Sequence, residues 1–279
     1  MRMTRVHMFG PPSQGSPLDV VLPDPDRSPS EPDVAAHARS TDADETVLVT
    51  SCAGRAFGTR IFNAHGETSF GTHSLAGVAA SLVRAGLLPP GEVKRTSAAG
   101  EQRLWTDGFQ VQVPFEGPVF DQQVDLDPAL LGPYGSRASS VGVGRGFTVL
   151  QLDRDQDPLA LPAPDFGRMN ELGITDLTLF GWNPELNRIR ARVFAPGFGI
   201  SEDAGCLPAA AALGVAALRS ALVPNHTPVR ITQVSARGTT SDFDCTGAID
   251  GGRVSLEITG WVWVRGENGR DLDTNLTNF

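Results

Sequence analysis

Hydrophobic and polar positions alternate along most of the chain, in short segments that glycine, proline, aspartate and asparagine interrupt. Alternation with a period of two is typical of a strand that buries one face. Eight segments show this pattern clearly and are predicted to be strands: 46–50, 55–63, 109–114, 147–152, 177–182, 188–194, 229–235 and 254–264. The chain is therefore predicted to be rich in strands and poor in helices.

Two segments depart from this alternation. Residues 74–85 (SLAGVAASLVRA) and 209–221 (AAAALGVAALRSA) are rich in alanine and leucine and are apolar on nearly every helical face. A helix that is hydrophobic all round is usually buried on all sides. The pattern predicts two buried helices, each embedded in a strand-rich half of the chain.

Three short motifs recur in the same order in the two halves, which indicates a duplicated architecture. They are RIF at 60–62 and RVF at 192–194, GVAA at 77–80 and 214–217, and SAAG at 97–100 and SARG at 235–238. We predict one domain at 1–117, completed by the C-terminal tail 266–279, and a second at 118–265. Clustered prolines and glycines place the join within 114–135, and composition predicts surface loops at 23–32 and 153–164.

Composition excludes several classes of function. With 23 basic against 32 acidic residues the formal charge is −9, which disfavours nucleic-acid binding. No apolar run approaches the ~20 residues that a membrane-spanning helix needs, and the N-terminus lacks the apolar core of a signal peptide. Three cysteines cannot form a complete disulfide framework, so a reducing, cytoplasmic location is expected.

Glycines and polar residues precede both predicted helices, in the segments 62–74 and 194–208. Unpaired N–H groups at a helix N-terminus attract anions, so two such ends facing one another could hold a small carboxylate substrate. Ordinary helix capping explains the same composition, because Thr72, Ser74, Ser201 and Asp203 are all common near a helix start. The residues alone leave both explanations open.

Several segments resemble the PhzF-type isomerases of the diaminopimelate epimerase-like superfamily. They are ETVLV at 45–49, ETSFGTH at 67–73 and GISED at 199–203, supported by VHMF at 6–9, GSPLDVV at 15–21 and QVSARG at 233–238. The resemblance runs from about residue 5 to about residue 265. It implies an α+β fold of two pseudo-symmetric domains, each a mixed β-barrel-like sheet around a central helix, with the active site in the cleft between them.

Three residues take catalytic roles by this resemblance: Glu45, His73 and Asp203. A further set would line the substrate site: Ser16, Gly71, Thr72, Ser74, Gly205 and Cys206. Moving a proton between two carbons needs a group that takes the proton and returns it without exchange with water, and a buried carboxylate suits that task. Without the resemblance, Glu45 is better explained as a solvated acid at the end of the acidic run 42–45.

The sequence also departs from the family pattern. Cys206-Leu207-Pro208 replaces a Thr-Gly-Ser element, which removes a hydroxyl and an N–H, and Ser16 replaces an asparagine. Cys206 falls where epimerases of the superfamily carry one of two catalytic cysteines, whereas Gly71 occupies the place of the other. A two-cysteine mechanism is therefore excluded. A one-cysteine dehydratase remains open, as does a purely structural buried Cys206.

The predicted function is that of a cofactor-independent isomerase, which moves a double bond in a small carboxylated, amino-acid-derived intermediate of secondary metabolism. Alkylproline-type antibiotic precursors are the candidate substrate class, and the resemblance implies a homodimer. No metal is expected, because the five histidines lack paired ligand spacing, and Gly142–Gly146 precedes a strand rather than a dinucleotide-binding helix. The alternatives are a dehydratase or epimerase of a proline-like acid that uses Cys206, and a non-catalytic binding protein.

Overall fold

A computed structural model describes residues 2–22, 30–68, 71–97, 100–127, 130, 134, 138–153 and 156–264. The chain divides into two compact units, the first made of Met1–Val113 with Gly260–Phe279 and the second of Pro114–Thr259. From the sequence, these divisions are expected after residues 117 and 265. The predicted return of the tail 266–279 to the first domain lies outside the described residues.

Unit 1 is a mixed sheet with two helices. Its strands are β1 (Arg2–Met8), β2 (Ser16–Leu22), β3 (Glu45–Ala53), β4 (Ala56–Asn63), β5 (Gly66–Thr68), β6 (Gly91–Ser97), β7 (Gly100–Thr106) and the start of β8 (Gln110–Val124). Helix α1 (Glu31–Ser40) connects β2 to β3, and helix α2 (Thr72–Arg84) precedes β6. Neighbouring strands pair in the order β1-β2-β3-β4-β6-β7-β8, with β5 beside β4.

Unit 2 is a second mixed sheet. After the end of β8, its strands are β9 (Ala138–Val143), β10 (Phe147–Gln151), β11 (Leu177–Asn183), β12 (Arg188–Phe194), β13 (Val229–Val234), β14 (Thr240–Asp250) and β15 (Arg253–Val264), which continues into unit 1. Its helices are α3 (Phe166–Glu171) and α4 (Leu207–Arg219), with 3-10 turns at Pro158–Ala160 and Pro196–Phe198. The strands pair in chain order from β8 to β15.

The two units share one topology. In unit 1, β2 runs parallel to β3 and β4 runs parallel to β6, while the other pairings are antiparallel. In unit 2, β10 runs parallel to β11 and β12 runs parallel to β13 in the same pattern. In each unit, the chain segment that joins the first pair of parallel strands contains a short helix, and the segment that joins the second pair contains the long buried helix. The predicted α+β fold of two similar, barrel-like modules is confirmed.

Each long helix is surrounded by the strands of its own unit. Helix α2 contacts β1, β2, β3 and β7, and α4 contacts β9, β10, β13 and β14. The repeated glycine of the GVAA motif permits this packing: a Cβ at Gly77 would lie 2.6 Å from Leu18 Cδ2, and one at Gly214 would lie 2.6 Å from Cys245 Sγ. The motif recurs because both helices must accept side chains from the surrounding sheet at this point.

The chain at the start of the predicted join 114–135 is a strand rather than a break, since β8 extends through Pro114 and Pro118 to Val124. Proline lacks the N–H that a central strand donates, which was the reason to expect a break. In the structure β8 pairs with β7 at Val111–Gln112, with β9 at Val119–Val124, and also with β15. Pro114 and Pro118 fall between the stretches that pair with β7 and β9, so neither proline has to donate to these two strands.

Helix α1 corrects a second expectation, because it begins at Glu31, within the predicted loop 23–32. Ser30 caps this helix by accepting a hydrogen bond from the backbone N–H of Asp33, and proline occupies the first turn. Proline is tolerated there because the N–H that it lacks would have no partner inside the helix. Residues 23–29 of the predicted loop lie outside the described residues.

No helix in the described part of the chain is long and apolar enough to cross a membrane.

Asp19 on β2 ties α1 to the sheet. Its buried carboxylate accepts hydrogen bonds from Arg5 Nε at 2.5 Å, His37 Nε2 at 2.8 Å and Thr41 Oγ1 at 2.7 Å. Burial alone would raise the pKa of Asp19, but these hydrogen bonds outweigh it and lower the pKa below its usual value. Arg5 lies on β1, His37 on α1, and Thr41 directly after α1, so the Asp19 carboxylate joins β2 to both β1 and α1.

We expect Asp19→Asn to lower the free energy of unfolding by about 2–3 kcal/mol at neutral pH, because charge-assisted hydrogen bonds are lost. A carboxyl group with a lowered pKa stabilises the fold above its ordinary value of about 3.9, and that contribution disappears as the pH falls through the folded-state pKa. Urea unfolding of the variant and the unchanged protein across pH should therefore show a difference that shrinks in acid. A difference that stayed constant below about pH 3 would contradict this linkage.

Candidate functional site

Glu45 is the first residue of β3 and is almost completely buried, with 2% of its surface exposed. It lies opposite Leu18 of β2, in the parallel pair that α1 connects. The hydroxyl of Ser74, in the first turn of α2, donates a hydrogen bond to Glu45 Oε2. Glu45 is therefore an interior carboxylate with a defined donor, and not the solvated acid that was its alternative explanation.

Gly71 brings the start of α2 close to this carboxylate. A Cβ at this position would lie 2.6 Å from Ile61 Cδ1 and 3.2 Å from Glu45 Oε2. A larger residue would therefore displace the Ile61 side chain and crowd the carboxylate. The place that a second catalytic cysteine would need is filled by its neighbours.

The other predicted residues of unit 1 lie near the same point in the fold. Ser16 begins β2, is fully buried, and donates a hydrogen bond to Asp44 Oδ2 at 2.9 Å. Thr72 and His73 form the first turn of α2, but their side chains lie outside the described residues. The fold thus brings Ser16, Gly71 and Ser74 towards the beginning of β3, and the role of His73 stays a prediction.

Arg95 on β6 is a further buried charged residue of unit 1, which the sequence pattern did not indicate. Its side chain is 4% exposed, and its Nη1 donates to Gln102 Oε1 at 3.2 Å. Burial lowers the pKa of Arg95, and the negative charge of Glu45 opposes that shift. Unit 1 thus buries a positive as well as a negative side chain.

The predicted residues of unit 2 lie together before α4. Asp203 is buried, and its Oδ1 accepts a hydrogen bond from the N–H of Gly205 at 2.8 Å. Cys206 is the residue before the first turn of α4. The buried amide of Gln233 on β13 binds both backbone groups of Cys206, accepting from its N–H at 2.7 Å and donating to its carbonyl at 2.8 Å. These contacts hold the turn 203–206 against β13.

The Cys206 thiol lies in acidic and buried surroundings. Burial raises its pKa well above the usual value, and the nearby charges of Asp203 and Asp176 raise it further. A thiol with a raised pKa stays protonated near neutral pH, whereas a nucleophilic or basic cysteine must be a thiolate. The structure thus favours Cys206 as an unreactive thiol.

Asp176 was not singled out from the sequence, yet the repeat could have identified it. Thr46 of β3 pairs with Phe62 of β4, and Leu177 of β11 pairs with Phe194 of β12. Phe62 and Phe194 end the repeated RIF and RVF motifs and are therefore equivalent. Glu45, just before Thr46, and Asp176, just before Leu177, thus occupy equivalent places in the two units. Asp176 accepts hydrogen bonds from the N–H of Thr148 at 2.7 Å and from Thr175 Oγ1 at 2.9 Å. Burial raises its pKa despite these bonds.

Glu202 braces the loop that carries Asp203. It binds Arg192 through both carboxylate oxygens, at 2.5 Å from Nε and 3.4 Å from Nη2, and accepts a hydrogen bond from the N–H of Ala236 at 3.1 Å. Arg192 also donates to the carbonyl of Leu161 at 2.7 Å. Because Glu202 joins β12 to the turn before β14, the GISED segment at 199–203 serves the structure as well as the site.

The two long helices differ in how their N-terminal donors are used. Before α4, Asp203 and Gln233 of the protein itself already accept from the N–H groups of Gly205 and Cys206. Pro208 provides no N–H in the first turn of the same helix. Before α2, the residue preceding the helix is Gly71, which offers no capping side chain. The N-terminal donors of α4 are thus partly used within the protein, whereas the Glu45 carboxylate lies close to the start of α2.

The described residues contain no group of three or more histidine, cysteine or acidic side chains arranged to hold a metal ion. Glu45 and Ser74 in unit 1, and Asp203, Cys206 and Asp176 in unit 2, are instead paired with protein donors or with one another. Both clusters are therefore groups of buried ionisable side chains, each lying at the start of one of the two long helices.

Comparison with known proteins identifies the fold. No protein-family model and no curated protein sequence matches the chain. Among solved structures, a phenazine biosynthesis PhzF family protein from Enterococcus faecalis has a TM-score of 0.76 at 18% identity, over 95% of this chain and 96% of its own. A predicted epimerase from Pseudomonas aeruginosa has a TM-score of 0.70 at 20% identity, over 95% and 97%.

A hydroxyproline epimerase from Agrobacterium vitis, solved with bound trans-4-OH-L-proline, has a TM-score of 0.60 at 15% identity, over 95% of this chain and 90% of its own. At these identities the comparisons show a shared fold. The resemblance to PhzF-type proteins that the motifs indicated is thus confirmed at the level of the fold.

Proposed function

We propose that this protein is a cofactor-independent isomerase of the PhzF type, which moves a double bond by proton transfer within a small carboxylated, amino-acid-derived molecule. The fold that it shares with PhzF family proteins supports this class. Alkylproline-type precursors of antibiotics are the substrates to test first.

The environment of Glu45 carries the proposal. The carboxylate is 2% exposed and accepts a hydrogen bond from Ser74, so it is shielded from bulk water and held in one orientation. A shielded carboxylate can take a proton from one carbon and return it to another before the proton exchanges with solvent. The proton that leaves the substrate is then the one that the product regains, and no external oxidant or reductant is needed.

The surroundings of Cys206 argue against the alternative in which this thiol carries a dehydration or an epimerisation. Its pKa is raised by burial and by two neighbouring carboxylates, and the place of a partner cysteine is taken by Gly71. A two-base epimerase requires one acid–base group on each face of the reacting carbon, and Gly71 cannot supply the second group.

Incubation with candidate carboxylates in heavy water tests the reaction type. NMR should detect a product with a shifted double bond in which the transferred position keeps mainly protium. A product that loses the elements of water, or a racemic product with deuterium at the α-carbon, would instead support the dehydratase or the epimerase. If the protein bound a candidate tightly but converted none of them, the result would support the alternative of a non-catalytic binding protein.

The orientation of the substrate gives a separate prediction. We expect its carboxylate to bind at the start of α2, where the helix dipole contributes about 0.3–1 kcal/mol and His73 adds a donor. His73→Ala should therefore raise KM by about tenfold, the loss of one charge-assisted hydrogen bond. Leu207→Ser, at the start of α4, should change the preference among substituents and leave the reaction intact. Steady-state kinetics with a substrate series measures both effects, and a carboxylate found beside Leu207 would reverse this orientation.

A further inference from the structure

The arginines of the repeated RIF and RVF motifs make the same contacts in their own units. Arg60 binds Glu67 through two hydrogen bonds, from Nε at 2.8 Å and from Nη2 at 2.7 Å. Arg192 binds Glu202 with the same two nitrogens, at 2.5 Å and 3.4 Å. Each guanidinium also lies over the phenylalanine of its own motif, 5.5 Å and 4.8 Å from the ring centroid. The repeated motif thus produces a repeated contact with one carboxylate and one ring.

The backbone contacts show that the two glutamates are equivalent. In unit 1, Thr68 pairs with Ile61, the middle residue of the RIF motif. In unit 2, the N–H of Asp203 donates to the carbonyl of Val193, the middle residue of the RVF motif, at 3.0 Å. Thr68 and Asp203 therefore hold the same place in the two units, and so do the glutamates that directly precede them.

The spacing from the glutamate to the long helix is also the same in both units. Helix α2 begins at Thr72 and helix α4 begins at Leu207, in each case five residues after the glutamate. The arginine and its glutamate are seven residues apart in unit 1 and ten residues apart in unit 2, where the 3-10 turn Pro196–Phe198 lies between them. The loop before the glutamate thus differs in length, whereas the segment from the glutamate to the helix does not.

The two ion pairs differ in burial. In unit 2 the side chains of the arginine and the glutamate are 6% and 11% exposed, against 31% and 46% in unit 1. Arg192 Nη1 donates to the carbonyl of Leu161 at 2.7 Å, and Arg60 Nη1 pairs with Glu31 of α1. Removing one partner of a buried pair leaves an uncompensated charge, whereas water replaces much of an exposed pair. Loss of the arginine should therefore have the larger effect in unit 2.

We propose that Arg60 and Arg192 are equivalent positioning residues, each of which fixes, through its glutamate, the segment that leads into the long helix of its own unit. In unit 2 this segment carries Asp203, directly after the glutamate. In unit 1 it carries Gly71, beside the Glu45 carboxylate. The inference rests on the proposed function, for which Glu45 and Asp203 must be held in place. Neither arginine acts on the substrate itself in this role.

Hydrogen exchange followed by mass spectrometry tests the inference on the purified protein, without any substrate. Under native conditions, Arg192→Gln should speed the exchange of amides in 199–206 by about tenfold, the effect of losing one charge-assisted hydrogen bond. Arg60→Gln should speed exchange in 67–74 by about threefold, because its ion pair is partly exposed. Each variant should leave the corresponding segment of the other unit unchanged.

Arg190→Gln is the matched control. Arg190 lies on β12, two residues before Arg192, and binds Asp157 at 3.1 Å, outside the segment under test. Its replacement should leave exchange in 199–206 unchanged. Arg192→Lys keeps the charge but cannot make two parallel hydrogen bonds, so it should give an intermediate increase. This variant replaces Arg192→Gln if the latter does not fold.

Equal exchange in 199–206 for Arg192→Gln and Arg190→Gln would overturn the inference. An increase spread evenly over both units would also overturn it, because that result indicates general destabilisation. With a substrate in hand, kcat should fall by about tenfold in Arg192→Gln and recover in part in Arg192→Lys.

The exchange measurement separates this inference from the proposed function, because it requires no turnover. Faster local exchange in Arg192→Gln, together with no isomerase activity in the unchanged protein, would refute the proposed function alone. An active protein whose exchange in 199–206 did not respond to Arg192→Gln would refute the positioning role alone.

Discussion

Replacing Glu45 by glutamine should lower kcat of the isomerisation by at least ~10²-fold, the usual contribution of a general acid–base group. Glutamine has nearly the same shape and can still accept the Ser74 hydrogen bond, but it cannot take up and return a proton. The loss should appear in kcat more than in KM, because the substrate is still bound. Steady-state rates of the variant and the unchanged protein test this prediction, and near-ultraviolet circular dichroism confirms that the variant is folded.

Cys206→Ala is the discriminating control for this prediction. The protonated, buried thiol has no part in the proposed proton transfer, so the variant should keep most of its activity. If Cys206 were essential and Glu45 dispensable, the dehydratase or epimerase alternative would replace the isomerase. If neither substitution changed turnover, the assignment of the active site to Glu45 would be wrong.

Gln233→Leu should lower the free energy of unfolding by about 2–4 kcal/mol, because it leaves two buried backbone groups of Cys206 without partners. Gln233 is fully buried, and leucine has a similar size, so the effect reflects lost hydrogen bonds and not a cavity. Urea or thermal unfolding gives the magnitude. Since the same bonds hold the turn 203–206, hydrogen exchange at the start of α4 should also become faster.

The matched control is Gln123→Leu, an exposed glutamine on β8 opposite Ser139. That substitution removes no buried hydrogen bond and should change stability by less than about 0.5 kcal/mol. Equal effects of the two substitutions would mean that the amide of Gln233 contributes nothing specific to the turn.

The secondary structure followed from the sequence where one simple pattern dominated. Helices α2 and α4 lie within two residues of their predicted positions, since an Ala- and Leu-rich segment that is apolar on all faces has few alternatives to a buried helix. All eight predicted strands are present. The pattern failed where other signals competed with it, as in β8, where two prolines interrupt the alternation, and in β6, whose exposed face carries Glu92, Lys94 and Thr96.

The residues of the candidate site likewise differ in whether the sequence alone could indicate them. The motifs around Glu45, Gly71 and Asp203 could be singled out because they are local and resemble those of a known family, and the roles of these residues stay predictions. Asp176 and Gln233 were not singled out, because nothing next to them in the chain distinguishes them. Both are buried near Cys206, which is distant in the chain: Gln233 binds its backbone, and the charge of Asp176 acts on its thiol.

The sequence by itself determined the two buried helices, the strands around them and the duplication, because hydrophobic periodicity and repeated glycines act over short stretches of chain. Only the tertiary structure decided the chemical state of the site. Burial makes Glu45 an interior carboxylate rather than a solvated acid, and it raises the pKa of the Cys206 thiol. The physical reason is that the charge of an ionisable group depends on desolvation and on neighbouring charges, and both are set by residues that are distant in the chain.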